Sequence, residues 1–182
     1  MTTGLLLVDI QNDYFAGGRM ELAGINEAGR TAGELLNLFR ERQWPTFHIQ
    51  HISAGADAPF FRPNTAGVEL HASIATVSGE LVVQKHFPNS FRATTLLAEL
   101  QKHDISRVVI CGAMSHMCID ATTRAAFDFG FDCEIIHDAC ATRNLEFGGT
   151  AIPAEEVHGS FMAALGSAYA NVMTWDEYRN TH

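Results

Sequence analysis

Val108-Val109-Ile110-Cys111 is an unbroken apolar run, ended by Gly112. β-Branched residues without polar alternation make a strand buried on both faces, the kind that parallel sheets contain. A segment with helical spacing follows, in which Ile119, Thr122, Thr123, Ala126 and Phe127 can share one face. Parallel strands need crossover connections, usually helices, so this stretch commits the chain to an α/β fold. It also places Cys118 where a strand has ended and a helix begins. Unpaired N–H groups and the helix dipole there favour thiolate over thiol, and thiolate is the nucleophile.

The rest of the chain repeats the alternation. Leu5 to Asp9 is a first strand, apolar until its terminal carboxylate. Asn26 to Arg42 reads as a helix with Asn26 as N-cap, stopped by Trp44-Pro45. Thr46 to Gln50 is a second strand and Leu81 to Gln84 a third, followed at once by Lys85. Between them, His51 to Glu80 has little periodicity and reads as a long loop, of the kind that is functional or disordered. Thr94 or Thr95 caps a helix running to about His103, and Gly130 ends the helix after Cys118. Phe131 to His137 is a fifth strand, with Asp138 to Ala141 at its end and a Gly- and Thr-rich loop beyond. Ala154 to Ala170 is a last helix, Asn171 to Thr174 a sixth strand and Trp175 to Tyr178 a tail.

The expected architecture is a three-layer α/β/α sandwich with a six-stranded, mostly parallel sheet, formed by a single domain over 1–182. In a Rossmann-like strand order 3-2-1-4-5-6, strands one and four are neighbours at the switch point. Asp9 and Cys118 would then flank one crevice.

A 47% hydrophobic content over 182 residues supports one sizeable core. A net charge of -9 with only 12 Lys and Arg argues against nucleic acid or an anionic membrane as partner. No apolar run is long enough to span a bilayer, and no basic leader precedes the first strand, so a cytoplasmic location is expected. The four cysteines are then free thiols, without C-x-x-C spacing. Cys111 and Cys133 read as core residues, and Cys140 falls in a loop without an assigned role.

Asp9, Lys85 and Cys118 are reactive residue types at three strand ends. A cysteine nucleophile needs a base and a stabilised charge, roles open to Asp9 and Lys85 respectively. Backbone N–H groups in the Gly112 to Cys118 turn can serve a developing oxyanion. His116, Phe15 and Phe61 are candidates for substrate contact. Gln11 and Asp13 read as braces for the loop, and Phe60-Phe61 suits either a pocket wall or a subunit contact.

Leu7-Val8-Asp9-Ile10-Gln11-Asn12-Asp13-Tyr14-Phe15, Lys85, and Gly112-Ala113-Met114-Ser115-His116-Met117-Cys118 together resemble motifs of the isochorismatase-like cysteine hydrolases. Gly67-Val68-Glu69-Leu70 resembles a loop of the same family. The resemblance implies Asp9 as acid/base, Lys85 as its partner and Cys118 as nucleophile. It implies a cis peptide before Met114, with the Met114 and Cys118 amides forming an oxyanion hole. It also implies assembly into dimers or larger homo-oligomers. Family nicotinamidases hold a metal through an Asp-x-His pair after strand two. Here His48-Ile49-Gln50-His51 lacks the Asp, and adding His71 leaves the set incomplete, so no metal or other cofactor is assigned. Isochorismatases proper cleave a vinyl ether without the cysteine, so Cys118 points to amide chemistry. The expected function is hydrolysis of a small carboxamide or related C–N bond through a thioester. The alternatives are an isochorismatase-type enol-ether hydrolase and a non-catalytic flavodoxin-like binding domain. A phosphoryl-accepting receiver of that last class would carry an Asp after strand three, where this chain has Lys85. No Gly-rich phosphate loop follows strand one.

Overall fold

The computed structural model describes residues 2–55 and 57–181; Met1, Ala56 and His182 of the expected domain lie outside them. Among the described residues, eight strands and five α-helices follow in chain order. They are β1 (Thr2–Val8), α1 (Ile25–Glu41), β2 (Thr46–His51), β3 (Leu81–Lys85), α2 (Leu96–Lys102) and β4 (Ile105–Ala113). Then come α3 (Asp120–Asp128), β5 (Asp132–Ala141), β6 (Leu145–Phe147), β7 (Thr150–Ile152), α4 (Ala154–Gly166), β8 (Asn171–Met173) and α5 (Trp175–Thr181). Six strands form one sheet in the order β3-β2-β1-β4-β5-β8, every neighbouring pair parallel. Counted within that sheet, this is the expected 3-2-1-4-5-6 order.

The central strands are apolar because both their faces are covered. Leu5 to Val8 of β1 and Val108 to Cys111 of β4 are completely buried. On one side α1 meets α5, where Phe39 stacks on Tyr178 and Trp175 Nε1 donates to Glu34 Oε2 at 2.9 Å. α3 packs against α4 and its C-terminal end, with Arg124 and Phe127 both against Tyr169.

Gly112 does not end β4. It pairs with Val8 on one side and Cys140 on the other, at φ +124°. A β-carbon there would fall 1.9 Å from the Val8 carbonyl oxygen. Glycine is therefore what lets β4 continue against β1 in a backbone conformation closed to L side chains. The chain then runs through Ala113 into a π-helical turn, Ser115–Ile119, that leads directly into α3.

Other expected boundaries shift for identifiable reasons. Gly24, at φ +72°, precedes α1, and Asn26 lies inside the first turn instead of capping it. Asp138 to Ala141 belong to β5, because Cys140 and Ala141 still find partners in Gly112 and Ala113 of β4. Cys140 is accordingly buried in the sheet rather than in a loop, and its thiol donates to the Ile136 carbonyl at 3.4 Å. The Gly- and Thr-rich segment folds into the antiparallel hairpin β6–β7. α4 stops at Gly166, four residues early, and the tail forms α5, anchored by the fully buried Tyr178.

The long segment after β2 holds two short 3₁₀ turns, Ala66–Val68 and Ala72–Ile74. Side chains from the β1 end pin it, as expected of Gln11 and Asp13. Gln11 Nε2 donates to the carbonyls of His51 (2.9 Å) and Val68 (2.7 Å), and Oε1 accepts from His51 N (2.8 Å). Asp13 Oδ2 accepts from Phe61 N at 2.6 Å, and Oδ1 from Arg19 N at 3.2 Å.

Candidate active site

Three strand ends supply the three residues. Asp9 directly follows β1, Lys85 is the last residue of β3, and Cys118 sits in the π-helical turn after β4. β1 and β4 are neighbours and β3 lies one strand beyond β1, so the parallel order gathers the three ends on one edge of the sheet, and single-turn π segments recur at functional sites. Lys85 Nζ lies 2.8 Å from Asp9 Oδ2, with both side chains at 0% exposure. Lys85 also donates to the carbonyls of Phe87 (3.2 Å) and Pro88 (3.0 Å), which hold the ammonium in place. The Asp9 carboxylate, a ring nitrogen of His51 and Cys118 Sγ all lie within 4.8 Å of one another. Asp9 adopts φ +54°, a left-handed conformation that is uncommon for a residue with a side chain.

Burial works against every charge here, and the ion pair offsets it. Desolvation raises the Asp9 pKa, but the Lys85 charge and contact with His51 outweigh it and hold Asp9 below its ordinary value. Desolvation lowers Lys85, and Asp9 more than restores it. The pair is therefore charged at neutral pH. Asp9 Oδ2 faces Lys85 Nζ, and the two carboxylate oxygens together have acceptor capacity beyond that one contact.

Cys118 departs from the sequence expectation. Burial first, then the negative charge of Asp9, push its pKa far above the ordinary thiol range, and Lys85 only partly compensates. The resting group is a thiol beside a carboxylate base, not a preformed thiolate. A helix dipole favours thiolate in a solvated turn, whereas Cys118 is 3% exposed and desolvation governs its ionisation.

Of the remaining expected contact residues, Phe61 touches a residue of this centre, whereas the ring contacts of Phe15 and His116 are with other residues. Phe61 is fully buried against Tyr14 (4.6 Å between ring centroids) and His51 (5.8 Å). Phe15 stacks on His71 at 3.5 Å. His116 is half-buried, its Nδ1 2.6 Å from Thr142 Oγ1 and its ring edge-on to Phe161. The Ala113–Met114 peptide is cis, as the resemblance implied.

The three histidines considered for a metal do not converge. His48 Nε2 meets Glu80 at 3.0 Å, and His71 pairs with Ser73 and Phe15. Only His51 joins the centre, 3.7 Å from Asp9, where Lys85 already supplies the cation. These residues do not fit the metal set of family nicotinamidases.

The isochorismatase domain, as a family, matches residues 3–177. The chain belongs to the isochorismatase family. It is a hydrolase of that family and resembles other members along almost its whole length. The isochorismatase family protein YddQ of Bacillus subtilis is 49% identical, covering 98% of this chain and 99% of its own. A crystal structure of a family protein from Oleispira antarctica superposes with a TM-score of 0.94 at 49% identity, covering 97% of this chain and 95% of that one. The ureidoacrylate amidohydrolase RutB of Variovorax paradoxus is 27% identical, covering 86% of this chain and 73% of its own.

Sequence patterning did not single out two residues of this isochorismatase-family site. Tyr14 is buried, and desolvation together with the charge of Asp9 raises its pKa well above the usual phenol value. Its signal was the aromatic pair after Gln11-Asn12-Asp13; a 3₁₀ turn, Asn12–Tyr14, carries Tyr14 inward. His51 was weighed only as a metal ligand. It touches Asp9 because Gln11, two residues beyond Asp9, clamps the His51 backbone.

Proposed function

We propose that this hydrolase cleaves a small carboxamide or related C–N bond through a thioester on Cys118. The observation that carries the reading is the fully buried Asp9–Lys85 ion pair beside the Cys118 thiol. Asp9 accepts the thiol proton as sulfur attacks the carbonyl carbon and the C–S bond forms. The thiol's high pKa means that proton transfer and attack are coupled. The oxyanion rests on the Met114 and Cys118 amides, each such donor being worth about 3 kcal/mol. Lys85 stays protonated throughout and stabilises the charge on Asp9 and on the developing tetrahedral centre.

The C–N bond then breaks as Asp9 returns its proton to the departing amine. Water attacks the thioester with Asp9 again as base, the C–S bond breaks and the thiol is restored. Shuttling by one positioned carboxylate contributes about 10²–10⁴-fold. In this reading His116, half-buried, is the substrate contact of the three, and Phe61 and Phe15 contribute as buried packing. The amidohydrolase relative supports C–N chemistry over an enol ether, and the substrate is a small molecule.

The deciding experiment assays a carboxamide panel for ammonia and an enol-ether substrate for pyruvate. An acyl-enzyme is sought on the Cys118 peptide by mass spectrometry. Ammonia release that disappears in Cys118→Ala, together with a Cys118 adduct, is the expected result. Pyruvate release that persists in Cys118→Ala would overturn the reading in favour of enol-ether hydrolysis.

A further inference from the structure

The carboxyl end of β5 and the first turns of α4 enclose a cleft of about 350 Å³. None of Asp9, Lys85 and Cys118 lines it. Two imidazoles do, His137 from β5 and His158 from α4, with ring centroids 5.9 Å apart and planes at 50°. Two imidazoles sharing one tetrahedral ion, with metal–nitrogen bonds of about 2.0–2.1 Å, have ring centres about 5–6 Å apart.

Ser115 Oγ lies 3.3 Å from the Ala141 carbonyl, an acceptor, and 2.8 Å from His158 Nδ1. With Nδ1 tied to that hydroxyl, Nε2 is the ring nitrogen left for a metal, which binds it in the Nδ1–H tautomer. An outer partner that fixes tautomer and ring orientation is the usual companion of a ligating histidine.

Two carboxylates also line the cleft, although their oxygens and both imidazoles are not gathered within 4.8 Å of one another as the side chains stand. Glu155 precedes His158 by three residues, on the same face of α4, and lines the same cleft. It is exposed, so its side chain is free to turn inward. Asp138 follows His137 and lines the cleft too; Oδ1 accepts from Trp175 N at 2.8 Å, leaving Oδ2 outside that bond. No Lys or Arg lines the cleft, so its chemistry selects a cation over an anion.

We propose that this cleft binds a borderline divalent transition metal, such as zinc or cobalt, through His137 and His158, with Glu155 or Asp138 completing the shell. The ion is tied through His158 and Ser115 to the turn that carries Met114 and Cys118. Imidazole with one carboxylate suits this class and not calcium or magnesium, which favour all-oxygen shells.

The test uses the full chain in a Cys118→Ala background, which removes thiolate ligation at the Asp9–His51–Cys118 cluster. Cobalt(II) and zinc(II) are titrated, with cobalt d–d absorption and melting temperature as readouts. One ion per chain is expected, with a four- or five-coordinate cobalt spectrum and a melting temperature that climbs with ion concentration. Adding His137→Gln, which leaves the Ser115–His158 bond intact, should weaken binding roughly tenfold or more and remove the spectrum. Adding His158→Gln should do the same. Absence of bound ion in Cys118→Ala, or unchanged binding after His137→Gln, would overturn the site. Neither readout depends on turnover, so the outcome is independent of the amide-hydrolase reading.

Discussion

Lys85 Nζ lies 2.8 Å from Asp9 Oδ2, and neither side chain reaches solvent. Removing one member leaves an uncompensated buried charge, which typically costs about 3–5 kcal/mol. Lys85→Met should therefore be strongly destabilised, whereas the double variant Asp9→Asn, Lys85→Met should recover most of the loss. Urea denaturation of the single and double variants measures the coupling. Turnover should be lost in both. A double variant no more stable than the single would show that the pair is not the unit that stabilises this centre.

Cys118 should contribute no thiolate at neutral pH. Burial raises its pKa first and Asp9 second, so removing the Asp9 charge lowers it again. Thiolate absorbance near 240 nm, read as wild type minus Cys118→Ala, should be flat at pH 7. In Asp9→Asn, thiolate should appear at lower pH than in wild type while turnover falls by about 10²–10⁴-fold. More thiolate with less activity is the signature of a base coupled to attack.

Glu80 gathers a polar network at the other end of the sheet. It accepts from Arg40 at 2.7 and 2.8 Å, from Val77 N at 3.0 Å, and contacts His48 at 3.0 Å. Burial raises the Glu80 pKa, but the Arg40 hydrogen bond, the Val77 N–H and the nearby charges outweigh it, giving about 2 against an ordinary 4.5. A depressed folded-state pKa contributes stability fully above the unfolded value and loses it as pH falls through the folded one. The window is thus about 4.5 down to about 2. The contribution is roughly 3 kcal/mol at most. Melting curves should show a steeper acid loss for wild type than for Glu80→Gln across that window.

Gly67 backs directly onto Asp13, where a β-carbon would lie 2.1 Å from Oδ1. Gly67→Ala should displace the carboxylate that accepts from Phe61 N and loosen the segment after β2. A cost of about 1–3 kcal/mol is expected for such overpacking. Limited proteolysis should locate the new cleavage between 52 and 80.

Cys118→Ala should retain the wild-type circular dichroism spectrum and lose turnover by roughly 10³-fold or more. Steady-state kinetics on the best amide of the panel checks it. Near-wild-type turnover would exclude Cys118 as nucleophile.

Local patterning was enough for the elements that position the site. The apolar run at Val108 to Cys111, the carboxylate ending strand one and the lysine ending strand three are short-range facts. A parallel sheet turns such strand ends into neighbours once its order is set. Side-chain identity over a few residues also separated Gln11 and Asp13, as braces, from Asp9. Only the folded chain decided the rest. Gly112 reads as a stop in one dimension, but against β1 it is the residue that lets β4 pass Val8 and continue. His51 and Tyr14 reach the centre through a clamp and an inward turn with no periodic signature. The ionisation of Cys118 does not follow from its position at a helix start, since desolvation and a facing carboxylate outweigh a helix dipole. Strand and helix formation follow from neighbours in sequence, whereas convergence and charge state follow from distances and burial that exist only after the chain has closed on itself.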